Sequence, residues 1–146
     1  MKYERKLSHT TYDHKYHLCW ITKYRFKVLT GNVAYRARDI IKQICREIGV
    51  EIIQGNVQPE HIHLVVSVPP YQSISKLMQH LKGKSARKLL QEHEILRKRY
   101  YGGSLWARGY YSVTSGNITD EMIIEYVKNQ DREKEQDDNF IVSHDV

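Results

Sequence analysis

Two histidines, His61 and His63, stand two residues apart in the apolar stretch HIHLVVSV. Because side chains alternate across a β-strand, the two imidazoles lie on one face, about one pleat repeat apart. The opposite face, which we expect in the core, carries Ile62, Leu64, Val66 and Val68. Two imidazoles placed in this way can bind one divalent cation. With eight histidines in the chain, a pair of solvated sheet histidines fits the pattern as well.

A metal site needs at least one more ligand, as well as open positions for substrate. Tyr126 and Gln130 are four residues apart in a predicted helix, so they share one helical face. If that face covers the histidines, the amide oxygen of Gln130 completes a His-His-oxygen set and Tyr126 stands one turn away. Alternatively, Tyr126 is a core residue of an amphipathic helix and Gln130 is an exposed polar residue near its end.

Four segments rich in β-forming residues are predicted strands: 16–24, 50–57, 61–68 and 105–113. The turn at 58–60 joins the second and third strands as a hairpin. Apolar residues at helical spacing predict helices at 33–48, after Ser73, at 86–96 and after Thr119. Gly83 is predicted to interrupt the chain between the helix after Ser73 and the helix at 86–96.

The resulting order, β-α-β-β-α-(α)-β-α, predicts an α+β fold with a ferredoxin-like or RRM-like antiparallel sheet. The crossover helices cover one face of the sheet. The other face, over which we expect the last helix to lie, carries the histidines. In a basic protein, such a face is suited to binding and processing nucleic acid.

The composition is that of one soluble domain. The chain has 146 residues, of which 40% are hydrophobic. No apolar run approaches the roughly 20 residues of a membrane helix, and the polar N-terminus lacks the apolar centre of a signal peptide. We therefore expect a cytoplasmic protein without a membrane partner. Cys19 and Cys45 lie inside apolar patterns and are predicted to be buried thiols rather than a disulfide or a zinc site.

Charge is distributed unevenly along the chain. The net charge is +6, but residues 131–146 carry −4, which leaves +10 on residues 1–130. A basic domain indicates a polyanionic partner, although a solvated helix face explains the charge equally well. The candidate phosphate contacts are Lys23, Arg25, Lys82, Lys84, Arg87 and Lys88.

Five segments together resemble one known family, the single-tyrosine transposases of the IS200/IS605 type in the HUH (His-hydrophobe-His) endonuclease superfamily. Any one segment is modest support, but their order and spacing are those of the family almost to residue 130. The one small departure is Glu60, where an aspartate is common before the first histidine. The segments are YHLCWITKYRFKVL (16–29), QPEHIHLVVSVPP (58–70), LKGKSARKL (81–89), LWARGYYSVTSG (105–116) and ITDEMIIEYVKNQ (118–130).

The resemblance implies roles for the four residues considered above. His61, His63 and Gln130 match the metal ligands of the family, with Mg²⁺ or Mn²⁺ as the cofactor, and Tyr126 matches the nucleophile. The implied substrate is single-stranded DNA with hairpins near the ends of an insertion sequence, cleaved through a 5′-phosphotyrosine link. The family also implies a homodimer in which the partner can contribute the tyrosine helix.

On this interpretation, residues 1–130 form the transposase domain and residues 131–146 an acidic C-terminal tail without an assigned role. A domesticated REP-associated tyrosine transposase would use the same chemistry, and the short tail favours the mobile-element form. A non-catalytic RRM-like binding module is a different class, and it would have no use for His61, His63, Tyr126 and Gln130 together. A two-histidine phosphoesterase would need two His-x-Thr/Ser motifs, and only His9-Thr10-Thr11 fits.

Overall fold

The computed structural model describes residues 4–114 and 139–143. Its main sheet has five strands in the order β6-β3-β5-β4-β7, and a small hairpin of β1 and β2 precedes it. The strands are β1 (Arg5–Lys6), β2 (Thr11–Tyr12), β3 (Lys15–Ile21), β4 (Glu51–Gln58), β5 (His61–Ser67), β6 (Tyr111–Thr114) and β7 (Phe140–Val142). The helices are α1 (Gly31–Glu47), α2 (Ile74–Glu92) and α3 (Glu94–Arg99), and a 3₁₀ turn spans Lys23–Arg25.

The predicted α+β class is confirmed. Strand β5 lies at the centre of the sheet and pairs antiparallel with β3 on one side and β4 on the other. The predicted β4–β5 hairpin is present, and β3 also pairs antiparallel with β6. From β3 to β6 the order of elements is the predicted β-α-β-β-α-α-β, although the two consecutive helices are separated at His93 and the hairpin of β1 and β2 was not predicted. The predicted last helix, which includes Tyr126 and Gln130, lies outside the described residues.

One face of the sheet carries the core. Strand β5 contributes Ile62, Leu64 and Val66, and β3 contributes Leu18 and Trp20, all of them buried. Burying each large aliphatic side chain contributes about 1.5–3 kcal/mol, so this face fixes the orientation of β5. The apolar stripes of two helices pack against it: Val33, Ala37, Ile40, Ile41 and Ile44 from α1, and Leu77, Met78, Leu81 and Leu89 from α2.

Helix α2 is continuous, so the predicted interruption at Gly83 is wrong. The helix begins as predicted at Ser73, whose hydroxyl accepts a hydrogen bond from the backbone amide of Lys76 at 3.2 Å. A glycine in a helix interior costs only about 1 kcal/mol relative to alanine. Burial of Leu81 and Ser85 on either side of Gly83 offsets that cost. No helix in ranges 4–114 and 139–143 is long and apolar enough to cross a membrane.

The predicted strand 105–113 is also partly wrong, because regular pairing begins only at Tyr111. Residues 105–109 form an irregular segment beside the end of β3. The Lys82 ammonium donates to the carbonyl oxygens of Ala107 and Gly109 at 2.8 and 2.6 Å. Those two carbonyl oxygens therefore accept hydrogen bonds from a side chain rather than from a neighbouring strand. Gly109, with a φ of 77°, turns the chain into β6.

Strand β7 lies within the region 131–146, where the sequence analysis predicted no strand. It pairs parallel with β4, with Phe140 opposite Gly55. The Phe140 ring is fully buried and occupies the space that a side chain at position 55 would need. The missing Cβ of Gly55 therefore makes room for the strand in the sheet.

Replacing Gly55 by alanine should therefore destabilise the fold. A Cβ at position 55 would overlap the Phe140 ring, whereas one at Gly83 on α2 has no atom within 4 Å. We expect Gly55→Ala to lower the free energy of unfolding by about 1–3 kcal/mol through overpacking. Gly83→Ala should raise it by about 1 kcal/mol through helix propensity. Urea denaturation of both variants checks this, and a Gly55→Ala protein as stable as the wild type would contradict the Phe140 contact.

Candidate active site

The predicted alternation of β5 is observed. His61 and His63 lie on the face opposite the core and are partly buried, whereas Ile62 and Leu64 are fully buried. The imidazole ring centroids are 4.7 Å apart, and the ring planes are inclined at 50°. Packing of the aliphatic residues on one side of the central strand thus places the two imidazoles beside each other on the other side.

Carboxamides of the neighbouring strand β4 flank the histidines. In the sheet register Asn56 stands opposite His63, and Gln58 stands opposite His61. Asn56 is buried, and its side-chain oxygen accepts a hydrogen bond from the Gln58 amide. The sequence analysis did not single out these two residues. Their alternation with Val57 in QGNVQ is the signal that could have found them, because it is the same period as that of the histidines.

Glu60, the departure from the family pattern, contacts the first histidine. Its Oε1 lies 3.2 Å from His61 Nδ1. A carboxylate can only accept a hydrogen bond, so Nδ1–H donates and the unprotonated Nε2 is left to act as a ligand. Carboxylates commonly orient metal-binding histidines in this way. Glu60 is therefore placed to orient the His61 ring.

His17 on β3 is a third imidazole at this face, and the sequence analysis did not include it. Its ring meets that of His63 edge-on, with centroids 5.1 Å apart. Burial, together with smaller effects of His61 and His17, lowers the pKa of His63 to about 4. Burial also lowers the pKa of His17. Since a neutral imidazole is the form that binds metals, His63 is ready to act as a ligand at pH 7 without losing a proton.

The described residues provide only part of the ligand set that a divalent cation needs. Within ranges 4–114 and 139–143, no group of three His, Cys, Asp or Glu residues could hold a metal ion, so the ring of His17 does not complete a set with the pair. The predicted third ligand Gln130 and the predicted nucleophile Tyr126 lie outside the described residues. The structure supplies two imidazole donors side by side.

The predicted phosphate contacts fall into two groups. Lys23 and Arg25 lie in the 3₁₀ turn after β3, and Arg25 is exposed. Lys82, Lys84, Arg87 and Lys88 lie on α2, where Arg87 is exposed and the three lysines are partly buried. Burial lowers the pKa of Lys82, whose ammonium group is already bonded to two backbone carbonyls.

Comparison with known proteins identifies the family. The family model described as "Transposase IS200 like" matches residues 10–130, which is most of the chain. The chain belongs to the IS200-like transposase family. The ISDra2 transposase TnpA of Deinococcus radiodurans is 38% identical over 119 residues, covering 82% of this chain and 85% of the relative. The transposase for insertion sequence element IS200 of Salmonella typhimurium is 34% identical over 127 residues, covering 87% of this chain and 83% of the relative.

Solved structures resemble this transposase too. A crystal structure of a Deinococcus radiodurans protein superposes with a TM-score of 0.72 at 34% identity, covering 86% of this chain and 97% of that one. A REP-associated tyrosine transposase, solved bound to a REP hairpin, superposes with a TM-score of 0.55 at 16% identity, covering 84% of this chain and 69% of that one. The second likeness concerns the fold alone.

The stability of this transposase should fall as the pH is lowered below about 6.5. The pKa values of His63 and His17 are lower in the folded chain than in the unfolded one, so the unfolded chain binds more protons in this range. Each such proton reduces the free energy of unfolding by up to about 1.4 kcal/mol per pH unit. Urea denaturation at several pH values in EDTA should show a shallower loss for His63→Asn than for the wild type. Equal slopes would contradict the burial of His63.

Lys82 should stabilise the transposase rather than act as a mobile phosphate ligand. Removing its bonds to Ala107 and Gly109 with Lys82→Met should cost about 1–2 kcal/mol of folding free energy. Arg87→Met, on the exposed side of the same helix, should change stability by less than about 0.5 kcal/mol. Chemical denaturation gives both values. An unchanged stability for Lys82→Met, with weaker DNA binding, would instead make Lys82 a phosphate contact.

Proposed function

We propose that this IS200-like transposase cleaves and rejoins single-stranded DNA through a covalent link to Tyr126. The observation that carries the proposal is the pair His61 and His63, held side by side on the central strand with ring centroids 4.7 Å apart. Membership of the transposase family supports it, since transposases process DNA. The match of 118–130 to the tyrosine segment of the family supports Tyr126 as the nucleophile.

Tyr126 is suited to this role if its hydroxyl loses its proton as it attacks, because a phenol has an ordinary pKa of about 10. A bond forms between the phenolic oxygen and phosphorus, and the bond from phosphorus to the 3′-oxygen breaks. That oxygen takes up a proton and leaves as a free 3′-hydroxyl. The product is a 5′-phosphotyrosine link, in which the energy of the phosphodiester is kept.

The reverse step joins new ends. A 3′-hydroxyl of another strand attacks the phosphotyrosine, restores a phosphodiester and releases the phenol of Tyr126. No nucleoside triphosphate is needed as an energy source, because one phosphate ester is exchanged for another in both steps. A homodimer would supply two tyrosines for the two ends of an element, and the resemblance to the family supports that assembly.

His61, His63 and Gln130 would hold the divalent cation. When bound, such a cation offsets the negative charge that attack builds on the non-bridging phosphate oxygens. Two imidazoles and one amide oxygen form a neutral set, which suits Mg²⁺ or Mn²⁺ better than a closed structural zinc site. Glu60 would keep His61 in the tautomer that leaves Nε2 for the cation.

Hairpin-bearing single strands are the proposed substrate. The basic charge of residues 1–130 supports a polyanionic partner, and the REP-associated transposase of similar fold was solved with a hairpin bound. A non-catalytic binding module would also bind such DNA, but it would form no covalent link to it. Covalent capture therefore separates the two functions.

The test is formation of a covalent adduct. Incubating the protein with fluorescently labelled hairpin DNA and Mn²⁺ should give a band that survives denaturing electrophoresis. Tyr126→Phe should abolish the band because it removes the nucleophilic oxygen, whereas Tyr71→Phe, at an exposed site after β5, should not. An adduct that persists in Tyr126→Phe would assign the nucleophile to another residue. Binding without any adduct would favour the non-catalytic module.

His63→Ala should abolish adduct formation without unfolding the protein. Because His63 lies on the face opposite the core, the circular dichroism spectrum of the variant should match that of the wild type. Titration calorimetry with Mn²⁺ should show affinity falling by at least about tenfold, because mutation of a residue that only supports a metal ligand already has an effect of about this size. Unchanged Mn²⁺ affinity would contradict the assignment of His63 as a ligand, and loss of the folded spectrum would make its role structural.

A further inference from the structure

A basic and aromatic surface lies beside the end of the sheet that carries the histidines, and its aromatic residues have no part in the proposed cleavage and rejoining. We define it by the turn Lys23–Lys27 together with Arg99. Tyr24 is 68% exposed, so a large aromatic ring faces solvent within this surface. Exposed aromatic rings among cations are typical of surfaces on which single-stranded bases stack.

The Phe26 ring lies between the exposed ring of Tyr24 and the buried ring of Tyr100. Tyr24 lies 5.4 Å from Phe26, and Phe26 lies 5.5 Å from Tyr100, measured between ring centroids. The Arg99 guanidinium stands over the Phe26 ring at 4.1 Å, and the Lys23 ammonium stands 5.3 Å from the Tyr24 ring centroid. Aromatic faces and positive charges therefore alternate across the surface.

The backbone of the turn holds Tyr24 in an unusual conformation. Tyr24 and Arg25 have φ values of 63° and 56°, in the left-handed region that bulky residues rarely adopt. The turn is fixed by the Thr22 hydroxyl, which donates to the Phe26 carbonyl at 2.7 Å. The Lys23 amide donates to the Leu105 carbonyl at 2.8 Å. An exposed tyrosine kept in a strained conformation by its surroundings points to a function rather than to packing.

The turn is attached directly to the histidine strand. Ile21, the last residue of β3, stands opposite His61 in the sheet register. The next residue, Thr22, donates its amide to the Glu60 carbonyl at 2.9 Å. The turn therefore lies at the end of the sheet where β5 begins with His61.

Charge around the turn favours a polyanion. Arg25, Lys27 and Arg99 are exposed, and none of them forms an ion pair with a residue of ranges 4–114 and 139–143. Lys27 and Arg99 also line a groove of about 510 Å³, with Val28, Ile95 and Lys98 among its walls. Lys98 lies 3.6 Å from Glu94, an exposed pair that does little to neutralise the surface.

We infer that this surface binds the single-stranded DNA that enters the active site, with a base stacked on Tyr24 and phosphates on Arg25, Lys27 and Arg99. The inference rests on the proposed function for the identity of the strand. It assigns to Tyr24 a part in substrate binding and none in the bond-forming step.

Binding in EDTA tests the surface separately from cleavage. The probes are fluorescein-labelled oligo-dT and an abasic strand of the same length, compared by fluorescence anisotropy. Tyr24→Ala should weaken oligo-dT binding about tenfold, as expected for loss of one stacked base, and should leave abasic-strand binding unchanged. Arg25→Gln should weaken binding of both strands and lower the slope of log affinity against log salt by about 0.7.

Tyr71→Ala is the matched control, since Tyr71 is 69% exposed but lies beyond the other end of β5. It should bind both strands as the wild type does. Tyr24→Gly guards against a folding artefact: it relieves the left-handed strain and should raise the melting temperature while weakening oligo-dT binding about tenfold. A Tyr24→Ala protein that binds oligo-dT as tightly as the wild type would overturn the inference. Equal loss of oligo-dT and abasic-strand binding would overturn the stacking role.

Failure of the surface and failure of the proposed function give different results. If Tyr24 is a binding residue, Tyr24→Ala should still form the Tyr126 adduct, but the DNA concentration that gives half-maximal adduct should rise about tenfold. A wild type that forms no adduct but shows the Tyr24 effect in EDTA would overturn the catalytic proposal and support the surface. Tighter binding of oligo-U RNA than of oligo-dT would overturn the assignment to DNA.

Discussion

The packing of the central strand β5 is the constraint on which the site depends. Ile62, Leu64 and Val66 are buried against α1 and α2, and β5 has a paired strand on both sides. A shift of one residue in this register would move the histidines into the core and expose the aliphatic residues. The energy that folds the protein is therefore the same energy that keeps His61 and His63 together on the opposite face.

The turn between β4 and β5 connects that constraint to the surroundings of the site. Glu60 in this turn accepts a hydrogen bond from His61 through its side chain and one from Thr22 through its carbonyl. The Leu29 amide donates to the Pro59 carbonyl at 2.9 Å. The chain after β3, with its basic and aromatic side chains, is thereby held at the histidine end of the sheet. The histidine pair and the surface proposed to bind DNA thus lie at the same end of the sheet.

Local patterns in the sequence predicted the features that arise from local physics. The period of β5 and the apolar stripe of α1 gave the correct elements, because alternation and helical spacing follow from burial of one face. The continuity of α2 through Gly83 depends on tertiary packing of Leu81 and Ser85 that outweighs local propensity. Strand β7 depends on a contact between Phe140 and Gly55, which are far apart in the chain. The capture of two carbonyls by Lys82 is likewise a long-range event, so the start of β6 could not be read from 105–113.

Within the candidate site, the strand period predicted the histidine pair, but its neighbours required the sheet register. His17, Asn56 and Gln58 come to the pair from two other strands. We propose that His61 and His63 jointly bind the catalytic cation. A crystal structure of the full chain with Mn²⁺, using anomalous scattering at the manganese edge, tests this directly. We expect one peak coordinated by imidazole nitrogens of both residues. Manganese bound elsewhere, with both imidazoles unliganded, would contradict it.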